Sequence, residues 1–542
     1  MKKLLIFFIG SILLTANAFA GSRLSGKVLC GEAPLEGVKV TDGRVIACTD
    51  RDGNYSIDSD KKYGLVYITP PSGYVPESAD GVRPGFYAAL DKSSAADEVH
   101  DFRLIRQNQE NYSVFFITDL HLCSSSVKTS VETFTRKAMP PFRKLAAKAA
   151  EEGPVYAFNL GDFSYERYWY QHGYGLEDAY SELVGARFPA LMYSIPGNHD
   201  NDCAVLTDDT DYDAGWVYRK VLGPEYYSVD IAGDHWIFLD DIIYINAPEK
   251  GGKAWPVGSK GSINYSAGLT AAEMGWLRQD LALVGPGKRV MICTHCPILK
   301  ENAAGTTFPE EQMKELAGMF SGFGEVMVYS GHLHRMQFLQ NAAWPQFGNM
   351  TVTAFSGDMW ESAPNRLLGI EGEDGGSLLV RFTPEGETYT WNTHLYGEKV
   401  MRCYDLNSVR KRYSEDAGIR AQMEAYPRRT DYADSSFADM VAVNYWMWRE
   451  GETVEMLENG KPLKVEKVDW EDPLFNLSYY LPRWKAAGGT ASSQKQIHNR
   501  HMFAARTADA ASPVTVIVRD RDGRVIHRET MKRPRKFSEK TK

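Results

Sequence analysis

The chain has no second long hydrophobic segment, no excess of basic residues and no internal repeats. After residue 20, no stretch approaches the ~20 apolar residues that a membrane-spanning helix needs. The net charge is −9, and the sequence pI is about 5.8. Because clustered Lys and Arg hold a polyphosphate backbone, this charge argues against a nucleic acid polymer as partner. It does not exclude a small anionic substrate, since bound metal ions can reverse the local field.

Cysteine is also scarce, with seven residues in the chain of 542. We expect Cys30 and Cys48 to lie in adjacent strands, where either a disulfide or two small buried hydrophobic residues would fit. The spacing of Cys293 and Cys296 is that of a redox pair. They flank His295, however, and lack the helix start that redox motifs use, so we expect no redox function.

The first twenty residues have the features of a signal peptide rather than of a folded segment. Lys2 and Lys3 form a basic start, and Leu4 to Leu14 is a nearly unbroken apolar run. The sequence Ala18-Phe19-Ala20 is a small-residue cleavage site. We therefore expect a protein exported to the periplasm or the extracellular space, with no transmembrane segment in its mature form.

The remaining length suggests about three domains. Residues 22–105 contain short strands and turn signals such as Asp52-Gly53, which predicts a β-sandwich. Residues 112–362 alternate apolar strands with helical stretches, which predicts a layered α/β domain. Within it, Thr270 and Glu273 form a capping box at the start of a helix. Residues 364–535 are again dominated by strands and predict a β-rich C-terminal domain.

Polar residues follow five of the apolar strands of the central segment, at the point where each strand ends. They are Asp119-Leu120-His121, Gly161-Asp162, Gly197-Asn198-His199-Asp200, Thr294-His295 and Gly331-His332-Leu333-His334. Layered α/β proteins build their sites in loops beyond the carboxyl ends of strands. Carboxylate, amide and imidazole groups suit metals such as Zn, Fe, Mn and Ni. The pattern therefore predicts a metal site.

The spacing within these segments adds detail. Pairs separated by one residue can present both side chains on one side of an extended backbone, so one short segment can supply two ligands. The glycines that precede Asp162, Asn198 and His332 indicate tight turns where the backbone passes close to a ligand.

The five segments, in this order and with these gaps, resemble the calcineurin-like metallophosphoesterase superfamily. The resemblance spans Asp119 to His334, and the flanking regions resemble the accessory domains of some bacterial members. It implies a four-layer α-β-β-α sandwich, flanked by the N-terminal β-sandwich and the β-rich C-terminal domain. It also implies an enzyme that hydrolyses phosphate esters with two metal ions, for which Mn, Fe and Zn are the candidates.

The resemblance carries over a role for each matching residue. The metal ligands would be Asp119, His121, Asp162, Asn198, His295, His332 and His334, and Asp162 would bridge the two ions. A metal-bridging hydroxide would then attack phosphorus in line. His199 would protonate the leaving group or hold a phosphoryl oxygen. Asp200 would either orient that imidazole or cap a turn.

An aromatic segment directly after Asp162 is a candidate for substrate contact. It includes Tyr165, Arg167 and Trp169, and its aromatic rings could stack on a base or sugar, or could be buried against the domain. We expect a small phosphorylated substrate, with sugar-linked and nucleotide-linked esters both open. Whether it is a monoester or a diester is also open, as is the oligomeric state. The alternative function is an inert cell-envelope protein that binds glycans through its strand-rich domains.

Overall fold

The computed structural model describes residues 21–124, 130–245, 265–285, 287–300, 305–357, 361–362, 366–425, 430–482 and 499–538. The expected signal peptide lies outside these residues. None of the helices within them is both long enough and apolar enough to cross a membrane.

The N-terminal region is built from strands in two sheets. Its strands are β1 (Ser22–Cys30), β2 (Ala33–Pro34), β3 (Lys39–Thr41), β4 (Ile46–Cys48), β5 (Asn54–Ser59), β6 (Leu65–Ile68), β7 (Tyr74–Pro76), β8 (Tyr87–Ala89), β9 (Glu98–Val99) and β10 (Phe102–Arg106). One sheet has the order β2-β1-β10-β7, with β5 and β9 also paired to β1, and the other has the order β4-β3-β6-β8. Leu24, Val40 and Ile57 are buried in one hydrophobic core. This is the sandwich that the strand and turn pattern predicts.

The central region alternates strands and helices. Its strands are β11 (Tyr112–Ile117), β12 (Val155–Asn159), β13 (Leu191–Ser194), β14 (Tyr227–Ile231), β15 (Asp234–Phe238), β16 (Ile242–Tyr244), β17 (Tyr265–Ala267), β18 (Arg289–Cys293), β19 (Val326–Ser330), β20 (Gln337–Gln340), β21 (Phe347–Thr351), β22 (Glu361–Ser362), β23 (Arg366–Leu367), β24 (Gly376–Thr383), β25 (Gly386–Thr393) and β26 (Gly397–Glu398). Its helices are α1 (Ser130–Glu132), α2 (Met139–Ala149), α3 (Trp169–His172), α4 (Leu176–Gly185), α5 (Thr210–Ala214), α6 (Trp216–Val221), α7 (Ala271–Ala282) and α8 (Glu310–Met319). Half of the expected capping box is present. Thr270 Oγ1 accepts a hydrogen bond from the Glu273 amide at 3.2 Å, whereas the Glu273 carboxylate accepts one from the Asp240 amide at 2.9 Å.

Two sheets form the middle of this region. The first has the order β13-β12-β11-β24-β25-β26, and the second has the order β14-β15-β18-β19-β21-β20. The strands β11, β12 and β13 are parallel, as are β15, β18, β19 and β21. The carboxyl ends of parallel strands lie at the same edge of a sheet. The loops that follow these strands therefore lie close enough to form one site, and they are the loops after β11, β12, β13, β18 and β19.

The sheets pack face to face with helices outside, which gives the expected four layers. Phe116 of the first sheet stacks on Tyr329 of the second, with ring centroids 4.0 Å apart. Its neighbour Phe115 points the opposite way and meets Phe142 of α2 at 5.0 Å. On the other side, Phe320 at the end of α8 meets Phe347 of β21 at 5.9 Å. Both faces of each sheet are therefore buried, which explains the unbroken apolar runs in the sequence.

The first sheet is completed by strands from much later in the chain. β24 pairs antiparallel with β11 and places Leu379 opposite Phe115, and β25 pairs with β24. Both strands lie beyond residue 364, where the sequence analysis starts the C-terminal domain. The alternation pattern contains no signal for this pairing, because the partners are distant in the sequence.

The C-terminal region combines two sheets with three α-helices that the strand-dominated prediction did not include. Its strands are β27 (Met401–Asp405), β28 (Met440–Tyr445), β29 (Thr453–Glu458), β30 (Lys461–Pro462), β31 (Val465–Val468), β32 (Met502–Arg506), β33 (Val514–Arg519) and β34 (Val525–Met531), and its helices are α9 (Leu406–Glu415), α10 (Ala417–Ala425) and α11 (Pro473–Phe475). The sheets have the orders β27-β28-β32-β31 and β30-β29-β33-β34. Helix α9 buries Leu406, Val409 and Tyr413 in a core of this region, a helical spacing that the sequence does carry.

The cysteines form no disulfide among the described residues. Cys30 ends β1 and Cys48 ends β4, and these strands belong to different sheets. The expectation of adjacent strands was therefore wrong. Cys293 and Cys296 are fully buried, and burial raises the pKa of both thiols well above its usual range, which does not suit redox chemistry.

Candidate metal centre

The five segments singled out from the sequence converge where the carboxyl ends of both sheets meet. Asp119 follows β11, Asp162 follows β12, Asn198 follows β13, His295 follows β18 and His332 follows β19. The loops are bonded to one another, since the Asp119 amide donates to the Gly161 carbonyl and the His121 amide donates to the Asp162 carbonyl, both at 3.0 Å. Ligands from distant parts of the chain are thus held in one framework.

One group of side chains contains Asp119, His121 and His334. Their ligand atoms lie within 4.8 Å of one another, and all three residues are buried. The Nε2 atoms of His121 and His334 are 3.1 Å apart, and His334 Nε2 is 3.0 Å from Asp119 Oδ1. Three potential donor atoms therefore face one small space.

A second group contains Asp162, His295 and His332, with Asn198 beside it. His295 Nε2 is 3.3 Å from Asp162 Oδ2, 3.2 Å from Asn198 Oδ1 and 3.2 Å from His332 Nδ1. The other nitrogens of the imidazoles have partners that orient them. His295 Nδ1 lies 2.8 Å from the Leu160 carbonyl, and His332 Nε2 lies 3.1 Å from the Tyr265 hydroxyl.

Asp162 stands between the two groups. Its Oδ2 atom is 3.7 Å from His121 Nε2 and 3.3 Å from His295 Nε2. Its Oδ1 atom accepts a hydrogen bond from the His199 amide at 2.8 Å, which fixes the orientation of the carboxylate. The position of Asp162 is that expected of a bridging ligand.

The backbone at these positions is not extended, contrary to the expectation for the paired ligands. Half of the ten non-glycine residues with positive φ in the described chain are predicted metal ligands: Asp119, His121, Asp162, His332 and His334. Their φ values lie between 48° and 66°. Such conformations are unfavourable for side-chain-bearing residues and concentrate at functional sites. The loops therefore present both ligands of a pair through tight turns.

Two of the glycines allow these turns to approach the ligands. A Cβ on Gly197 would lie 2.3 Å from both the amide nitrogen and Oδ1 of Asp162. A Cβ on Gly331 would lie 1.9 Å from Thr118 Oγ1 and 2.8 Å from Asp119 Oδ2. Both distances are shorter than any real contact, which confirms the expectation of close backbone approach at these glycines.

The charges in the site are strongly coupled. Burial opposes ionisation of Asp162, but His295 and His199 outweigh it and lower the pKa of this carboxyl. Burial also disfavours the charged form of His295, yet Asp162 and Asp119 raise its pKa to about 10. The pKa of His332 is lowered to about 4, mainly by burial and by the charge of His295. At neutral pH the site thus holds an anionic Asp162 and a neutral His332, whereas His295 is protonated and would release its proton when a metal ion binds.

The residues fit a pair of metal ions. Asp119 Oδ1 is buried and makes no hydrogen bond, although it faces the imidazole of His334. Burying a carboxylate oxygen in this way is costly unless a cation compensates it. The donors are carboxylate oxygen, amide oxygen and imidazole nitrogen, the set that intermediate divalent metals prefer.

His199 is oriented by Glu166, which the sequence analysis did not identify. His199 Nδ1 lies 2.6 Å from Glu166 Oε2, and both side chains are almost completely buried. Burial lowers the pKa of His199, but Glu166 and Asp162 overcome this effect and raise it. The position of Glu166, four residues after Asp162 in a loop beside the site, is the only signal in the sequence.

Asp200 adopts the second of the two roles left open for it, the capping of a turn. Its Oδ2 atom accepts hydrogen bonds from the amides of Gly197 and Phe163, at 2.9 and 3.0 Å. Its Oδ1 atom accepts one from the Ser164 amide at 2.8 Å. Asp200 therefore ties the Asn198 loop to the Asp162 loop, and the imidazole of His199 has Glu166 as its partner instead.

The residues of the aromatic segment lie in two different places, some beside the candidate metal ligands and others in the hydrophobic core. Tyr165 packs edge-on against His199 and His121, with ring centroids 4.4 and 5.2 Å apart. The guanidinium of Arg167 lies 5.5 Å from the Tyr165 ring. Trp169 instead belongs to the core beneath the first sheet and is only 7% exposed, so it cannot stack on a substrate in this conformation.

A further acidic residue, which the sequence analysis did not identify, binds the backbone of the loop that carries His295. Asp241, which follows β15, accepts hydrogen bonds from the amides of His295 and Cys296 at 2.6 and 2.8 Å. Burial raises its pKa to about 6 even though the charge of His295 opposes this shift. The loop that carries His295 is therefore held by a buried carboxyl.

Comparison with solved structures gives matches of low sequence identity. A dimetal phosphatase from Danio rerio is 12% identical, with 53% of this chain and 96% of that one covered and a TM-score of 0.35. Purple acid phosphatase PPD1 from yellow lupin is 10% identical, with 70% and 72% covered and a TM-score of 0.34. A 5′-nucleotidase from Candida albicans is 10% identical, with 54% and 53% covered and a TM-score of 0.29. No curated protein sequence matches the chain.

Three sequence-family models match consecutive parts of the chain. Residues 112–336 match the calcineurin-like phosphoesterase family, and the ligand segments fall inside this match. Residues 22–107 match the model for the N-terminal part of calcineurin-like phosphoesterases, and residues 351–525 match the model for their C-terminal part. The chain therefore belongs to the calcineurin-like phosphoesterases, as a metal-dependent phosphoesterase with both flanking regions of that family.

Proposed function

We propose that this enzyme hydrolyses phosphate esters of small organic molecules at a dinuclear metal centre. The observation that carries the proposal is the position of Asp162 between two groups of converging donors. In the proposed assignment, Asp119, His121, Asp162 and His334 hold the first ion. Asp162, Asn198, His295 and His332 hold the second. Such an ion pair, when bound, polarises the phosphoryl group and supplies a nucleophile from water at neutral pH.

His199 is the proposed general acid of the reaction. It is buried beside the ligand His121, with ring centroids 5.2 Å apart, so its Nε2 edge can reach a phosphate ester held at the metals. Glu166 binds Nδ1 and favours the protonated imidazole. A protonated His199 can donate to the oxygen of the leaving group, or to a phosphoryl oxygen when the leaving group needs no proton.

The substrate is proposed to be a small phosphate ester. The net charge of −9 disfavours a nucleic acid polymer. Sugar-linked and nucleotide-linked esters both remain candidates, as do Mn, Fe and Zn for the metals. The alternative function considered above is that of an inert glycan-binding protein. Sugar binding does not need seven converging donor side chains, so this alternative does not explain them.

We also propose export to the periplasm or the extracellular space. The basic start, the apolar run and the small-residue cleavage site within residues 1–20 support it. Cell fractionation of the native protein, with N-terminal sequencing of the mature chain, tests this step. Retention of Met1 in a cytoplasmic fraction would contradict it.

Hydrolysis of bis-p-nitrophenyl phosphate and p-nitrophenyl phosphate, measured side by side, tests the proposed function. The enzyme is reconstituted with Mn, Zn or Fe, and Asp162→Asn serves as the blank. Turnover above the blank supports the proposal, and the ratio of the two rates distinguishes diesterase from monoesterase activity. Absence of turnover together with absence of bound metal would refute it.

A further inference from the structure

A cleft of about 540 Å³ opens beside the metal ligand His332. Its walls come from the loop after β18, from the loop after β19 and from the C-terminal region, which contributes Arg500. The cleft therefore begins at the proposed metal centre and ends at a different domain.

The charged side chains of this cleft carry one sign. Lys300, Arg335 and Arg500 line it, and no carboxylate does so among the described residues. Arg335 is held in place by the buried Glu371, 3.5 Å away, and the other Glu371 oxygen lies 2.7 Å from His501 Nε2. The protein as a whole is acidic, so this local excess of cations is unlike its average surface.

A second cavity of about 750 Å³ continues the cleft and shares Leu339 and Arg500 with it. Lys467 lines this second cavity, with its ammonium group 3.2 Å from the centre of the Trp448 ring. Burial and the nearby charge of Arg500 lower the pKa of Lys467 to about 8. Glu450 and Asp469 line this second cavity as well, so the excess of cations is confined to the cleft beside His332.

The remaining lining of the cleft is mostly apolar. Pro297, Leu299, Leu333 and Leu339 contribute aliphatic surface between the metal ligand and Arg500. An aliphatic or sugar chain can lie on such a surface, while its charged ends bind the metals on one side and the cations on the other. The shape and the chemistry thus favour a ligand with two anionic ends.

We propose that this cleft binds the organic part of the substrate and that Lys300 and Arg500 hold a second phosphate group on it. The substrate is then an organic bisphosphate, of which one phosphate is hydrolysed at the metals. This inference rests on the proposed function. It also gives the C-terminal region a role in substrate binding, since Arg500 belongs to it.

Two matched pairs of compounds test the proposal on the full-length, metal-loaded enzyme. Hexane-1,6-diyl bisphosphate and hexyl phosphate differ only in the second phosphate, and release of inorganic phosphate gives kcat and KM for each. The non-hydrolysable hexane-1,6-diyl bisphosphonate and hexylphosphonate give Kd by calorimetry. We expect KM and Kd to be about tenfold lower for the doubly charged compound of each pair, the effect of one or two charge-assisted hydrogen bonds.

Two substitutions test whether Lys300 and Arg500 bind the second phosphate group. Lys300→Met changes an exposed residue and should fold normally, and Arg500→Met changes the contribution of the C-terminal region. Each should remove most of the tenfold preference for the second phosphate. Arg521→Met is the matched control, because Arg521 also links the C-terminal region to the central one, through Gln340 at 2.9 Å, without lining the cleft. It should keep the preference.

The outcomes separate this proposal from the one on which it rests. Hydrolysis of both esters with equal KM, or a preference that survives in Lys300→Met and Arg500→Met, overturns the bisphosphate cleft but leaves the phosphoesterase intact. Tighter binding of the bisphosphonate by a protein that binds no metal and hydrolyses neither ester supports the cleft and overturns the proposed function. Loss of the preference in Arg521→Met would assign the effect to domain packing instead.

Discussion

Substitution of Glu166 should separate the orientation of His199 from metal binding. Glu166 Oε2 lies 2.6 Å from His199 Nδ1, whereas its Oε1 atom is buried without a hydrogen bond. Glu166→Gln keeps an oxygen that can accept from Nδ1 but removes the negative charge that favours the protonated imidazole. The ligands of both groups keep their partners, so the bound metal should not change.

The size of the effect follows from the charge of this hydrogen bond. A buried hydrogen bond to a charged group contributes about 1.5 to 3 kcal/mol. If this stabilisation acts on the transition state, its loss lowers kcat roughly 10- to 150-fold. The loss should be greatest for alkyl phosphates, whose leaving alcohol needs a proton. It should be small for p-nitrophenyl phosphate, whose leaving group departs as a stable anion.

The assay compares kcat for hexyl phosphate and p-nitrophenyl phosphate in the wild type, Glu166→Gln and His199→Ala, with metal content measured on each sample. Glu177→Gln is the control, because Glu177 forms only an exposed ion pair with Lys220 at 3.7 Å. Equal losses on both esters in Glu166→Gln, or a loss of metal, would refute a positioning role for Glu166.

Three further predictions concern the metals, the turns and the domain contacts. Asp162→Asn should lower activity at least 100-fold and reduce the bound metal measured by mass spectrometry, because the bridging charge is lost; more than a tenth of wild-type activity would contradict the bridging assignment. Gly331→Ala should displace His332 and weaken metal binding more than tenfold in a metal titration, since its Cβ would meet Thr118 Oγ1 at 1.9 Å; unchanged binding would contradict the close packing. Asp280→Asn should destabilise the protein by about 3 kcal/mol, because Asp280 binds both Lys39 of the N-terminal sandwich and His235 Nε2, the latter at 2.7 Å. The pKa of His235 is raised above 6.5, so its stabilising contribution is complete below pH 6.5 and disappears as the pH rises through the raised value. The difference in Tm between wild type and Asp280→Asn should therefore be larger at pH 5.5 than at pH 9; a difference independent of pH would contradict this coupling.

Much of the site could be predicted from the sequence because each ligand sits directly after an apolar strand. Asp119, Asp162 and His295 were placed correctly at the edge of the sheets by strand ends alone. The helix cap at Thr270 could be predicted for a similar reason, because Thr270 and Glu273, whose amide it binds, are close in sequence.

The features that escaped prediction depend on the path of loops or on distant partners. Glu166 reaches His199 only because the loop after β12 folds back on the loop after β13. Arg500 reaches the cleft only after the C-terminal region has packed on the central one. The left-handed backbone at the ligands is likewise imposed by the loops around them, since Asp and His adopt it more often than most residues but still only in a small minority of cases.

The pairing of β24 with β11 has a consequence for biosynthesis. Strand β11, with Phe115, can pair with β24 only after Leu379 has been synthesised, about 260 residues later. At typical synthesis rates of about 5 to 20 residues per second, this delay is roughly 13 to 50 s. During it, β11 has an open edge that other strands can bind. A truncated chain that ends at residue 362 would keep that edge permanently and should aggregate, so a soluble catalytic fragment must extend at least through β25, to Thr393.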